Sequence, residues 1–380
     1  MTHIEQMIQD MCPNGVEFKT LGEVTRTLPK GTLKTTDLTE DGYPVINSGK
    51  SLYGYYSNFN NECEAITIAA RGEYAGWISY FNEKFWAGGL CYPYTSKDEN
   101  IVKTKFIYYW LKKQECNIMD NLVARGSIPA LNKSDLDKFP IPLPPLEIQK
   151  KIVECLDKFS ALAAELQAEL QLRRKQYEYY RTQLLTPHSD CNSATKSDDR
   201  NWEWKTLGEV CTILRGKRLT KSELSADEQY PVFHGGIEPL GFYKECNREA
   251  DTVMIINVGA SAGTVGYSDK KFWSSDGCYC LSKSDLFIPK FMYYLLQKCE
   301  LELKSKVRYA GIPTLDSDVI KRIKIALPSL EEQARIVAIL DKFEKLITSM
   351  EEGIPAEQIR QQKRYEHFRD LLLAFDRKAV

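Results

Sequence analysis

LPPLEIQKKIVECLDKF, Leu143 to Phe159, returns as LPSLEEQARIVAILDKF, Leu327 to Phe343. In each copy proline holds extended backbone just ahead of an acidic residue suited to a helix N-terminus. From Ile152, alternating steps of four and three reach Leu156, Phe159, Ala163, Leu166, Leu170, Arg173, Tyr177, Tyr180 and Leu184. Only Arg173 interrupts an apolar a/d heptad seam, the pattern of a coiled coil. A helix from Glu147 to Leu185 would run for roughly 58 Å at 1.5 Å per residue. The second copy passes through Ile336, Leu340, Phe343, Ile347 and Met350. It then takes two steps of four, through Ile354 to Gln358, before Gln361, Tyr365, Phe368 and Leu372. That is an insertion the size of a stutter. It contains Gly353 and Pro355, so a break or kink is expected there. The two seams would satisfy each other if the helices paired antiparallel within the chain. Packing of each helix on its own domain alone is the plainer alternative.

Outward from these helices the rest of the chain is also duplicated. TLGEV occurs at Thr20 and Thr206, YPV at Tyr43 and Tyr230, and Phe-Trp at Phe85 and Phe272. KQYEYYRTQLL at Lys175 is echoed by KRYEHFRDLLL at Lys363. A period near half the chain means one folding unit used twice rather than a solenoid. Such a chain imitates a two-fold dimer. The stretches Glu17–Leu143 and Glu203–Leu327 are rich in Gly, Asn and aromatics. AITIAA at Ala65 and TVMIINV at Thr252 read as strands, and KFIYYWL at Lys105 and KFMYYLL at Lys290 as short amphipathic helices. TPHSDCNSATKSDDRN, Thr186 to Asn201, reads as a polar linker.

The 380 residues suffice for two domains with their own cores. Fifty-one basic against fifty-two acidic residues give a net charge of −1. Nucleic-acid binders often show a basic excess, so the balance argues mildly against that class; a local patch would still suffice. No apolar run is long enough to cross a bilayer, and MTHIEQMIQDMCPNG has neither the basic start nor the apolar stretch of a signal peptide. Eleven cysteines, scattered and without a C-x-x-C, suit reduced thiols in a cytoplasmic protein, with Cys278 and Cys280 the closest pair.

The chemistry of catalysis is missing from the pattern. His3, His188, His234 and His367 have no metal-ligand spacing. PVINSGKS, Pro44 to Ser51, ends like a phosphate-binding loop, but Pro44 stands where the leading glycine belongs and the repeat reads VFHGG. VGASAGTVG, Val258 to Gly266, lacks the dinucleotide spacing, and its counterpart RGEYAGWIS argues for a shared turn. There is no Asn-Pro-Pro-aromatic or Asp-Pro-Pro-aromatic tetrapeptide to hold a flipped base, and no defensible nucleophile–base pair. The expectation is a non-enzyme.

With the repeated helix segments, the repeated KQYEYYRTQLL and the tandem AAEL-QAEL at Ala163 to Leu170, the chain resembles the specificity subunit of type I restriction–modification systems over nearly its whole length. The resemblance implies an α+β fold: two tandem mixed α/β target-recognition domains separated by two long antiparallel coiled-coil helices, with pseudo-two-fold internal duplication. It sets the expected bounds at 1–143 for the first recognition domain with an N-terminal helical segment, and 144–186 for the first helix. A linker at 187–201, a second recognition domain at 202–327 and a second helix at 328–376 follow. It further implies that each domain reads one half of a split, asymmetric double-stranded DNA site. The helices would set the spacer and dock two modification (methyltransferase) subunits, and restriction (translocase/nuclease) subunits would join them. No cofactor is expected in this chain; S-adenosylmethionine, ATP and Mg²⁺ would be carried by the partners. Alternatives are a recognition subunit for a fused nuclease–methyltransferase, a stand-alone methyltransferase, and a coiled-coil scaffold with no DNA role.

A duplicated scaffold varies where it reads, so the divergent polar positions are the candidates for DNA contact. In the first half these are Lys30, Lys34, Asn47, Ser48, Lys50, Arg71, Arg125 and Ser127. In the second they are Arg215, Lys217, Arg218, His234, Asn257, Ser261, Lys306, Arg308 and Tyr309. Any single surface cation is ordinarily just solvated; the clusters RGKR at Arg215 and KSKVR at Lys304 carry more weight because charges along one phosphate track add. Tyr43, Tyr80, Tyr230, Tyr267 and both Phe-Trp pairs recur, which suits a core better than base stacking. The outer faces of the helices carry matching charges: Arg174, Lys175, Glu178 and Arg181 in one, Lys363, Arg364, Glu366 and Arg369 in the other. These are the candidates for docking the modification subunits, against the plain alternative of a solvated helix face.

Overall fold

The computed structural model describes residues 3–62, 64–187 and 202–378, so positions 188–201 of the expected linker lie outside the described residues. The chain divides into two compact units, residues 1–167 with 357–380, and residues 168–356.

In the first unit an antiparallel sheet runs in the order Thr25–Thr27, Cys91–Ser96, Ala65–Ala69, Ile78–Phe81. Beside it Gly54–Tyr56, Tyr43–Ile46 and Trp86–Ala87 form a three-stranded sheet whose last pair is parallel. Ala65–Ala69 is buried at every residue, as a short continuous apolar run predicts. The amphipathic helix Thr104–Lys113 covers this sheet. Its Phe106, Ile107 and Trp110 join Ile66, Ile68, Ile78 and Tyr94 in one core. Ile148, Ile152 and Leu156 from the first long helix enter that core, and so do Leu372 and Leu373 near the other end of the chain.

The second unit repeats the plan. Its four-stranded sheet runs Ile213–Arg215, Cys278–Leu281, Thr252–Ile256, Val265–Ser268. Its three-stranded sheet comprises Gly241–Tyr243, Tyr230–Phe233 and Trp273–Ser274, and the covering helix is Pro289–Lys298. Phe272 is wholly buried here, as is Phe85 in the first unit. The Phe-Trp pairs are therefore scaffold: Trp86 and Trp273 meet Tyr56 and Tyr243 edge-on, each at 5.1 Å.

The first long helix is unbroken from Leu146 to Leu184. The second stops at Thr348 and restarts at Ile354, so the expected break is present. Its cause is local. A Cβ on Gly353 would lie 2.7 Å from the carbonyl oxygens of Lys345 and Leu346, and Pro355 sits in the first turn of the restarted helix, where its missing N–H costs nothing. Met350, on the seam by spacing, falls in the break and is 64% exposed. Within the first unit Phe159 stacks on Phe368, and Gln167 pairs with Gln358. Residue numbers rise along one helix as they fall along the other, so the pairing is antiparallel. Within the second unit Tyr180 of the first helix stacks on Phe343.

Candidate nucleic-acid interface

Two glutamines seat each set of loops on its helix. Gln149 is wholly buried; its Oε1 accepts the Lys103 N–H (2.9 Å), and its Nε2 donates to the carbonyls of Ile101 (3.0 Å) and Pro144 (2.8 Å). Gln333, equally buried, accepts from Ile288 N–H (2.8 Å) and donates to Leu286 (3.1 Å) and Pro328 (3.0 Å). One amide thereby satisfies three backbone groups, of which the proline carbonyl (Pro144 or Pro328) is fully buried and would be costly to leave unpaired. Tyr109 and Tyr294 reinforce the joint by donating to Asp157 and Asp341, each at 2.5 Å. Burial and these carboxylates push both phenols far above the usual tyrosine range, so they stay neutral donors. Lys113 donates to the carbonyl of Leu373 (2.8 Å), and Lys298 to that of Leu185 (3.0 Å), each closing a helix C-terminus.

From this base both units raise the same relay of backbone bonds to a loop surface. Gly88 N–H donates to Ile46, and Ser275 N–H to Phe233. The residue just past each strand, Asn47 or His234, then differs: Leu90 N–H donates to Asn47 Oδ1 (2.9 Å), whereas Gly277 N–H donates to His234 Nδ1 (3.3 Å). Onward, Ala70 N–H reaches Leu90 and Leu131 N–H reaches Ala70; in the second unit Asn257 N–H reaches Gly277 and Leu315 N–H reaches Asn257. One framework thus displays two different polar side chains at the same place.

Around Asn47 the first unit gathers several of its candidates. Lys30 donates to the Gly89 carbonyl (3.1 Å) beside it, and Lys50 lies over Trp77 (4.7 Å) and Tyr74 (5.0 Å). Ser48 is half-buried next to Asn47. Arg71 is exposed on the turn that pairs with Ala130. Arg125 and Ser127 are exposed in the adjoining hairpin loop, Arg125 paired with Asp120 at 2.9 Å. Lys34 is exposed, in a segment whose 3-10 turn it caps.

In the second unit Lys217 bonds Ser274 through its N–H and Trp273 Nε1 through its carbonyl. Its side chain and those of Arg215 and Arg218 are exposed. Lys306, Arg308 and Tyr309 are exposed near the matching hairpin, Arg308 within 3.5 Å of Asp316. Ser261 is half-buried. Asn257 is different: it is 5% exposed, and its Oδ1 is buried without a partner. In this arrangement it braces the relay through its backbone and presents no edge to a ligand. Lys304 of the KSKVR cluster is tied to Glu300.

Among the helix-face candidates, Arg174, Lys175, Glu178, Lys363, Arg364 and Glu366 are exposed. Arg181 and Arg369 are turned inward. Arg181, 19% exposed, pairs with Glu178 and lies over Tyr177; Arg369, 22% exposed, pairs with Asp370 and lies over Tyr365. Neither offers a free guanidinium to a partner. The glutamine clamps were invisible in the repeat, although Gln149 and Gln333 recur at the same place in both copies.

A family profile described as the type I restriction modification DNA specificity domain matches residues 13–172 and again 199–358. The specificity subunit of an Escherichia coli type I restriction enzyme is 28% identical over 99% of this chain and 97% of its own. A putative type I specificity subunit of Haemophilus influenzae is 28% identical over 98% of both chains. Among solved structures, the S subunit of a type I restriction–modification system from M. genitalium superposes with a TM-score of 0.65 at 23% identity, over 95% of this chain and 96% of that one. No described helix is long and apolar enough to cross a membrane.

Proposed function

Because the chain belongs to the family of type I restriction modification DNA specificity subunits and carries the domain twice, we propose that its two loop surfaces read the two unlike halves of one bipartite DNA site. The surface around Asn47, Lys50, Arg71 and Arg125 takes one half, and that around Lys217, His234 and Arg308 the other. The observation that carries this is the shared relay, in which Asn47 and His234 hold equivalent backbone N–H groups with chemically different side chains. A common frame with unlike donors is what asymmetric half-sites require. The exposed cations nearby supply phosphate contacts, which position the duplex without reading it.

The paired helices set the spacer, and their exposed charges, Arg174, Lys175 and Glu178 with Lys363, Arg364 and Glu366, receive two modification subunits. Those subunits methylate adenine with S-adenosylmethionine, and restriction subunits add ATP-driven translocation and cleavage. This chain works among them in the cytoplasm as the non-catalytic reader, its domains bounded as 1–143 and 202–327.

Long-read methylation mapping in a strain carrying the operon tests the reading. Wild type should mark a split site with two different halves, and His234→Ala should relax specificity in one half only. Marking of a continuous site, or loss of specificity in both halves at once, would overturn it.

A further inference from the structure

Each unit exposes an isoleucine that its own core does not use. Ile128 is 64% exposed and Ile312 is 70% exposed. They occupy the same place in two hairpin loops, RGSIPAL from Arg125 and YAGIPTL from Tyr309. Matching bonds anchor both loops: Gly72 N–H donates to the Pro129 carbonyl (3.0 Å), and Gly259 N–H to that of Pro313 (2.9 Å). Both glycines have positive φ, +92° and +89°, so the supporting turn is tight in each unit. The flanks diverge, with Arg125 and Ser127 in one loop and Tyr309 and Gly311 in the other, while Ile-Pro stays.

A residue kept by both halves of a diverged duplication is ordinarily core, but these two are out in solvent. An exposed isoleucine held at the same place in both halves suits a surface that both halves meet. The DNA base stack and a modification subunit are both common to the two halves. The surroundings favour DNA: Arg71, bridged to Ala130, and Arg125 flank Ile128, and Arg308, bridged to Thr314, flanks Ile312, all three exposed. The pairs Arg125–Asp120 and Arg308–Asp316 are at least 59% exposed on every side chain, so water screens them and the cations remain available to phosphates.

We infer that Ile128 and Ile312, each backed by its proline, are apolar wedges that press into one base step of each half-site and partly unstack it. Isoleucine and proline serve as such wedges where a protein bends the duplex, with flanking cations on the phosphates. The contact is to stacking and not to a base edge, so it is the same in both halves, while the flanking residues differ. This rests on the DNA-reading role proposed above.

The test uses the full chain assembled with its modification subunits, on duplexes carrying the mapped site with 2-aminopurine placed at one step at a time outside the methylated adenines. Wild type should raise the fluorescence at one step in each half-site. Ile128→Ala should lose that rise in one half and Ile312→Ala in the other, while Ile128→Leu keeps it. A site-specific complex whose fluorescence matches free duplex at every step removes the wedge alone. So does a rise that both alanine variants retain. Alanine variants that fail to assemble with the modification subunits would assign the isoleucines to protein docking and also overturn the wedge. A wild-type complex without preference for the mapped site would remove the DNA-reading role, and the wedge with it.

Discussion

At the residue scale, the strongest constraints come from side chains that serve the backbone. Replacing Gln149 with Ala leaves the Lys103 N–H and the carbonyls of Ile101 and Pro144 without partners. The Pro144 carbonyl is buried, and an unsatisfied buried group costs roughly 1–3 kcal/mol, so a denaturant titration should show a loss within that range, and Gln333→Ala a similar one. A midpoint unchanged in both variants would mean that water replaces the clamp. Double replacement of Lys217 and Arg218 by Ala should instead leave stability alone, weaken DNA binding across sequences and flatten its salt dependence. Filter binding over a salt series would check this; an unchanged slope would remove them as phosphate contacts. These two kinds of residue differ in legibility. Exposed cations in a divergent loop stand out in a duplicated sequence. A glutamine near a helix N-terminus looks solvated, because its three partners come from segments 5 to 48 residues away. The inward turn of Arg181 and Arg369 was hidden likewise, since both sit off the heptad seam and their burial depends on tertiary neighbours.

At the element scale, the helices were the most readable part of the chain. Heptad spacing is local, and the seam read from Ile152 to Leu184 lies wholly within the helix Leu146–Leu184. The break was legible for the same reason, since Gly353 and Pro355 act on their own backbone. Gly353→Ala would force a methyl group within 2.7 Å of two carbonyl oxygens, an overpacking that costs about 1–3 kcal/mol. A fall in thermal midpoint is expected, and an unchanged midpoint would show that the break can absorb a side chain. Strands were read where they are short apolar runs, such as Ala65–Ala69 and Thr252–Ile256. The relay linking Asn47 to Leu90, or His234 to Gly277, could not be read, because its bonds span 43 residues. The burial of Asn257 follows from that relay and was equally out of reach.

At the scale of the whole molecule, the duplication separates a frame from its readers. The helix seams, the glutamine clamps and the lysine caps recur with matching geometry, while Asn47 and His234 take the same place with different chemistry. If the frame only spaces the readers, its length can change without touching what they read. Inserting QAEL after Leu170 adds roughly 6 Å of helix at 1.5 Å per residue. That is about one to two base pairs at 3.4 Å per step along a strand. Methylation mapping of a strain carrying this insertion is the most direct measurement. The account predicts a spacer longer by one or two base pairs between two unchanged half-sites. Altered half-sites with a constant spacer would contradict it.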